Sequence, residues 1–212
     1  MLAAVFIRLV LGAAALVFGL DGVNLFAAAT LVVFAVVADG ICLVLSGPGR
    51  AALGLRDVVD YLTLIIAPWL LVESMLVGSR SVIQEVLIDL PLVAGAVRCA
   101  GGLSGFTGGT GGERRGLSAM FFALVAVAAV FLHLPATTDP ARMTVLLSAA
   151  GGITSLLMLA PIRYRALPRV LTIAALVVIA VMPFVLSDVV AGAVLIGAAI
   201  YIVVGPFGGR QA

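Results

Sequence analysis

The chain reads as an all-α protein: a polytopic transmembrane helical bundle of about eight spans, forming one integral domain over residues 1–212. Three observations lead there. Of its 212 residues, 64% are hydrophobic and only 10% are charged, whereas a soluble domain carries about a quarter charged residues. With a mean hydropathy of +1.32, too little polar surface remains to face water. The apolar runs also approach the roughly 20 residues that a helix needs to cross a bilayer. They recur along the whole chain, unlike a single secretory leader before a soluble domain. Alternating strands of about ten residues, as a membrane barrel needs, are not seen. Helices then satisfy the backbone in hydrocarbon.

The expected spans are 3–20, 23–45, 58–77, 82–99, 117–134, 143–161, 168–186 and 189–206. The second ends before Gly47, Pro48 and Gly49, a turn signal. The third contains Pro68. The fourth carries Glu85, Asp89 and Pro91, so a tilted, kinked or partly re-entrant segment is expected. The fifth follows a glycine-rich stretch at 101–116. That stretch lacks the GK[ST] ending of a phosphate-binding loop and reads as a flexible connection that can close over a headgroup. In the sixth, Gly151 and Gly152 permit close helix packing. The seventh contains Pro183, a kink candidate.

All twelve basic residues are arginine. A net charge of +2 with no basic run gives no footing for a nucleic-acid partner. With the N-terminus cytoplasmic, Arg8, Arg50, Arg56, Arg98, Arg114, Arg115, Arg163, Arg165, Arg169 and Arg210 fall on the cytoplasmic side. Only Arg80 and Arg142 fall on the other. This bias is the positive-inside pattern and places both termini in the cytoplasm. Cys42 and Cys99 have neither metal-ligand spacing nor a disulfide framework.

Acids inside apolar spans are costly and are functional candidates by default. Asp39 lies late in the second span and Asp60 early in the third, so the chain reversal brings both to a common depth. Gly40 allows close approach of a headgroup or a neighbouring helix. Asp57, three positions before Asp60, can share its face. Carboxylates there suit Mg2+ or Mn2+, which complete their shells with water and substrate phosphates. Such an ion polarises a pyrophosphate bond, and a free carboxylate can take a proton from an attacking hydroxyl. Arg50 and Arg56, and the loop arginines Arg163, Arg165 and Arg169, suit phosphate. The simpler alternative is structural: Asp39 pairs with Arg50 or caps a broken helix, and Asp57 caps the third span or sits in solvent beside Arg56.

The stretch ADGICLVLSGPGRAALGLRDVVDYLT at 38–63 resembles the CDP-alcohol phosphatidyltransferase family. That family carries D-x2-D-G-x2-A-R-x8-G-x3-D-x3-D across its second and third spans. VVDYLTLIIAP at 58–68, APIRYRALPR at 160–169 and FTG at 106–108 are similar to segments of its bacterial phosphatidylcholine synthases. The resemblance implies a bacterial inner-membrane enzyme of phospholipid biosynthesis. It would join an alcohol, choline first among them, to CDP-diacylglycerol and release CMP. It implies Asp60 as the base, Asp39 and Asp57 as metal ligands, and Gly40, Arg50, Arg163 and Arg165 as substrate contacts. Its partners would be membrane lipid and a CDP-activated lipid, with a homodimer compatible. The motif is incomplete. Val36 stands where the first aspartate belongs and Arg56 where the third belongs, with Asp57 displaced by one. Leu43 and Val44 replace its alanine and arginine. The chain is therefore either a diverged transferase or a noncatalytic relative that binds lipid or nucleotide.

Glu73 lies toward the opposite end of the third span. Glu85 and Asp89 share a face and can line a polar cavity or pair with Arg80. His133, the only histidine, reads as structural, and Trp69 as packing or an interfacial anchor. A small transporter and a noncatalytic scaffold are the rival classes. Against the transporter, the spans form no convincing pair of repeats.

Overall fold

A computed structural model describes residues 2–20, 24–46, 53–76, 80–103, 114–115, 118–132, 139–160, 162–164, 169–185 and 188–206. Among them the chain is all-helical apart from one two-residue ribbon. The helices are α1 Leu2–Leu20, α2 Leu25–Ser46, α3, α4 Val82–Leu103, α5 Met120–Phe131, α6 Pro140–Leu159, α7 Arg169–Val185 and α8 Asp188–Val204. Helix α3 runs Leu53–Tyr61, passes through a π-helical turn at Leu62–Ile66, and continues as Ala67–Met75. Eight helices thus stand where eight apolar runs were expected.

Their ends differ from expectation for local reasons. The Asn24 side chain accepts from Ala27 N at 3.0 Å, so α2 starts at Leu25. Asp139 accepts from Arg142 N at 3.3 Å, and Pro140 occupies the first turn, where its missing N–H costs nothing. Helix α6 therefore begins at Pro140 rather than 143. Helix α3 begins at Leu53 because the polar pair Arg56–Asp57 is part of a helix, not of the connection before it.

Each internal proline is accommodated. In α3 the Ala67 N–H reaches back to Leu62 O, the longer π-type bond, just before Pro68. The widened turn relieves the clash that a proline ring makes with the carbonyl four residues earlier. Helix α4 is continuous through Pro91. Pro91 leaves the Leu87 carbonyl without its helical donor. A Cβ on Gly151 of α6 would stand 2.8 Å from Leu87 O, and one on Gly152 would stand 2.8 Å from Leu87 Cδ2. The two glycines therefore bring α6 against α4, as their sequence suggests.

Successive helices alternate in direction. Phe26 at the start of α2 meets Phe131 at the end of α5, ring centroids 5.0 Å apart. Phe121 at the start of α5 stacks on Tyr201 near the end of α8 at 5.2 Å. Ser74 near the end of α3 donates to Gly19 O near the end of α1 at 3.0 Å. One end of the bundle therefore gathers the starts of α1, α3, α5 and α7 with the finishes of α2, α4, α6 and α8. Arg8, Arg56, Arg98, Arg114, Arg115, Arg163 and Arg169 belong to that end, and Arg80 and Arg142 to the other.

The main apolar core includes Val32, Val33, Val36, Leu64, Ile65 and Phe122, and a smaller cluster forms around Phe121 and Ala198. The outside is apolar too: Phe6, Ile83, Leu156, Val170, Phe184 and Val189 are all more than half exposed. Two helices, Asp57–Met75 and Pro140–Leu159, are long and apolar enough to cross a membrane. Shorter apolar helices, Val5–Leu20, Leu25–Ile41, Met120–Phe131, Val170–Val185 and Val189–Val204, accompany them.

Candidate functional site

Asp39 and Asp60 meet, and Arg8 stands between them. Arg8 Nη1 is 3.0 Å from Asp39 Oδ1, and Arg8 Nη2 donates to Asp60 Oδ1. The three residues come from α1, α2 and α3 at one depth. Arg8 is six positions past the start of α1, Asp39 seven before the finish of α2, and Asp60 seven past the start of α3. The Arg8 side chain is 1% exposed, Asp39 4% and Asp60 23%. Burial decides the chemistry: a guanidinium stays charged wherever it is, so it must be matched by carboxylate. Asp60 is the member of this group nearest to solvent.

Close backbone approach holds this level together. Thr63 donates to Val59 O at 2.8 Å, and its methyl group fills the place where a Gly12 Cβ would sit. The π-helical turn thus presses directly on α1, one turn beyond Arg8. On the far side of α2, a Gly40 Cβ would lie 2.8 Å from Leu176 Cδ1. Of the two uses open to Gly40, the one seen is contact with a neighbouring helix.

Val36, at the place of the family's first aspartate, is fully buried in the apolar core. Asp57 lies one turn before Asp60 and is half-buried. Among the described residues, no group of three or more His, Cys, Asp or Glu side chains is placed to hold a metal ion. A divalent ion between Asp39 and Asp60 would also face the Arg8 guanidinium. At about 4 Å and an effective dielectric of about 20, that repulsion is roughly 8 kcal/mol. Among the described residues, Asp39 and Asp60 do not fit Mg2+ or Mn2+ while Arg8 is in place. The cation that these acids hold is a side chain of the same chain.

Arg8 is the residue that sequence reasoning used for orientation and missed for the site. The signal was its depth. Like Asp60 in the expected third span, it lies inside the expected first span, and a buried arginine requires a carboxylate.

Arg50 and Arg165 lie outside the described residues, as do Gly47, Pro48, Gly49, His133 and the 106–108 segment. Arg163 is placed by its backbone. Arg163–Tyr164 (β2) pairs antiparallel with Arg114–Arg115 (β1), with Arg115 opposite Arg163 and Arg114 opposite Tyr164. The connection before α5 is thereby joined to the one between α6 and α7, and the arginines of both share one ribbon.

No protein-family model matches this chain, and no curated protein matches it either.

A second polar group lies at the opposite end. Arg80 Nη1 and Nη2 each lie 2.8 Å from a carboxylate oxygen of Glu73, a two-pronged pair. That bond, more than the nearby Glu85 and Asp89, raises the Arg80 pKa above its ordinary value. Trp69 Nε1 donates to Asp89 Oδ1 at 3.0 Å. Of the partners considered for Arg80, Glu85 and Asp89 lie near it, but its hydrogen bonds go to Glu73, and Asp89 accepts from the indole. Near the arginine-rich end, Arg98 Nη1 reaches Met158 O at 3.4 Å, setting a cation at the last turn of α6.

Proposed function

We propose that this chain is an eight-span integral membrane protein of the phosphatidyltransferase type that binds lipid without catalysing metal-dependent transfer. The observation that carries the reading is Arg8 between Asp39 and Asp60. In the family the chain resembles, such acids hold divalent ions and the last of them activates the acceptor alcohol. Here a permanent cation occupies their common space, Val36 supplies no oxygen, and Asp60 is engaged by a guanidinium rather than free to take a proton.

Support for eight spans is physical. Large apolar side chains face outward on helix after helix, an arrangement that water would penalise and lipid would not. The helices alternate in direction, and arginines concentrate at one end. By the positive-inside rule that end is cytoplasmic and carries both termini. A bacterial inner membrane is the setting the resemblance implies.

The test is CMP release by purified protein in lipid nanodiscs supplied with CDP-diacylglycerol, Mg2+ or Mn2+, and acceptor alcohols beginning with choline. No release is expected from protein that still unfolds cooperatively. Choline-dependent release that is lost in Asp60→Asn would overturn the noncatalytic reading and restore Asp60 as base. Solute uptake into proteoliposomes would favour a transporter instead.

A further inference from the structure

One face of α4 is exposed along most of its length and apolar at all but one position. Val82, Val86, Val93 and Val97 are each more than half exposed. At 100° per residue they share a sector of about 80° with Asp89, which is exposed too. Asp89 lies seven residue steps into α4, about 10 Å along the helix, with apolar residues of the same face before and after it. Glu85, also exposed, stands at the edge of the sector. A carboxylate on the outward face of a membrane helix is costly, because such acids ordinarily face the bundle interior or a wet cavity.

This carboxylate is held in place but not neutralised. Trp69 Nε1 donates to Asp89 Oδ1 at 3.0 Å, and the indole is a neutral donor. Arg80 is near enough to feel Asp89, yet both prongs of its guanidinium go to Glu73. Among the described residues Asp89 forms no ion pair. A fixed negative charge within an apolar strip calls for a cation carried on an apolar surface. A second copy of the chain does not supply one: a two-fold contact through this face would set Asp89 against Asp89 at one depth, where like charges repel.

We propose that the Val86–Asp89–Val93 face of α4 is a docking surface for a transmembrane helix of another protein, one that carries an arginine or lysine at the depth of Asp89. The inference rests on the membrane reading and is independent of the state of the Arg8 site. The valines supply a smooth surface for close packing. Asp89 selects the partner, because a charge-assisted pair with the incoming cation relieves both buried charges at once. The indole holds the carboxylate in position beforehand, so little ordering is lost on binding.

The test uses the full chain in phosphatidylcholine nanodiscs and two synthetic leucine–alanine helices of about 20 residues. One carries a single arginine at its seventh position, the other leucine there, and both carry a dansyl group. Energy transfer from Trp69, the single tryptophan of the chain, reads their association. The arginine peptide should associate roughly tenfold more tightly than the leucine peptide. Asp89→Asn keeps an oxygen for the indole N–H and removes the charge, so it should make the two peptides equal. Asp89→Glu should retain the preference, and Asp89→Arg should transfer it to a peptide with glutamate at the same position. Equal association of both peptides with the unaltered chain, or a preference that survives Asp89→Asn, would overturn the proposal. Two chains per nanodisc with the arginine peptide excluded would give the face to a second copy and overturn it as well. A chain that does not enter nanodiscs would sink the membrane reading and this inference with it, whereas an inserted chain that ignores the arginine sinks this inference alone.

Discussion

Arg8 Nη1 and Asp39 Oδ1 are 3.0 Å apart in the interior of the bundle, with both side chains less than 5% exposed. Arg8 also holds Asp60, so one guanidinium ties α1 to both α2 and α3. Removing one member of a buried charge group leaves the rest uncompensated, which costs more than the group gained by forming. Arg8→Met should therefore destabilise the protein by about 3–5 kcal/mol. The triple variant Arg8→Met, Asp39→Asn, Asp60→Asn removes the charge altogether and should recover much of that loss. Thermal unfolding in one detergent compares them. An Arg8→Met protein as stable as the parent would mean that the guanidinium does not hold these helices.

Val36→Asp restores the residue that the family motif expects. It should not restore a site. Val36 is fully buried among apolar neighbours, and Arg8 already satisfies the acid one turn away. The new carboxylate would enter the core without a cation of its own, an outcome worse than the valine it replaces. The expected result is a lower melting temperature that Mn2+ does not raise. A Mn2+-dependent rise in this variant would show that the acids can recruit metal despite Arg8.

Gly151 and Gly152 are adjacent, yet alanine should affect them unequally. At Gly151 the added Cβ would strike Leu87 O, a backbone atom fixed in α4. At Gly152 it would strike Leu87 Cδ2, the end of a side chain that can rotate away. Gly151→Ala should thus cost about 1–3 kcal/mol, the usual range for overpacking, and Gly152→Ala less. Unfolding of the two single variants decides the order. The reverse order would mean that α6 does not rest on the carbonyl that Pro91 leaves free.

At the other end, Arg80 and Glu73 are partly exposed, so their two-pronged geometry should contribute little. A double-mutant cycle with Arg80→Ala and Glu73→Ala is expected to give a coupling of about 0.2–1 kcal/mol, weakened by salt. The sign of its pH dependence follows from the raised pKa of Arg80. A cation with a raised folded pKa contributes stability at every lower pH until its partner is neutralised, and loses it only as pH climbs through the raised value. Coupling should be flat as pH is raised through neutrality. A fall on mild alkalinisation would contradict the pairing.

The eight helices were legible because an α-helix satisfies its own backbone hydrogen bonds, which lets a long run of apolar side chains fold without polar partners. The juxtaposition of Asp39 with Asp60 was legible for a related reason: a reversal between two spans returns the chain to the same depth. The role of Arg8 was hidden because orientation arguments count arginines as interfacial charge, while this one lies inward. Gly40 was read with both of its uses open, and only packing coordinates choose Leu176 over a headgroup. The ribbon between Arg114–Arg115 and Arg163–Tyr164 had no signal at all. Two residues per strand carry no periodicity, and a pairing between segments nearly fifty positions apart is a property of the assembled bundle.

The π-helical turn gives the last prediction. Widening α3 at Leu62–Ile66 accommodates Pro68 and pushes Thr63 toward α1, where only a glycine at position 12 leaves room. A Gly12→Ala Cβ would overlap the Thr63 methyl group and stand 3.1 Å from Thr63 Cβ. The threonine cannot rotate freely, because its hydroxyl is bonded to Val59 O at 2.8 Å. Gly12→Ala should therefore destabilise by about 1–3 kcal/mol. Adding Thr63→Ser keeps the hydroxyl and removes the methyl group, so it should return part of the loss. Contacting positions should couple and need not add. Purely additive losses in the double variant would mean that α1 and the π-turn do not meet at this pair. The Arg8 bridge one turn away would then need some other support for its depth.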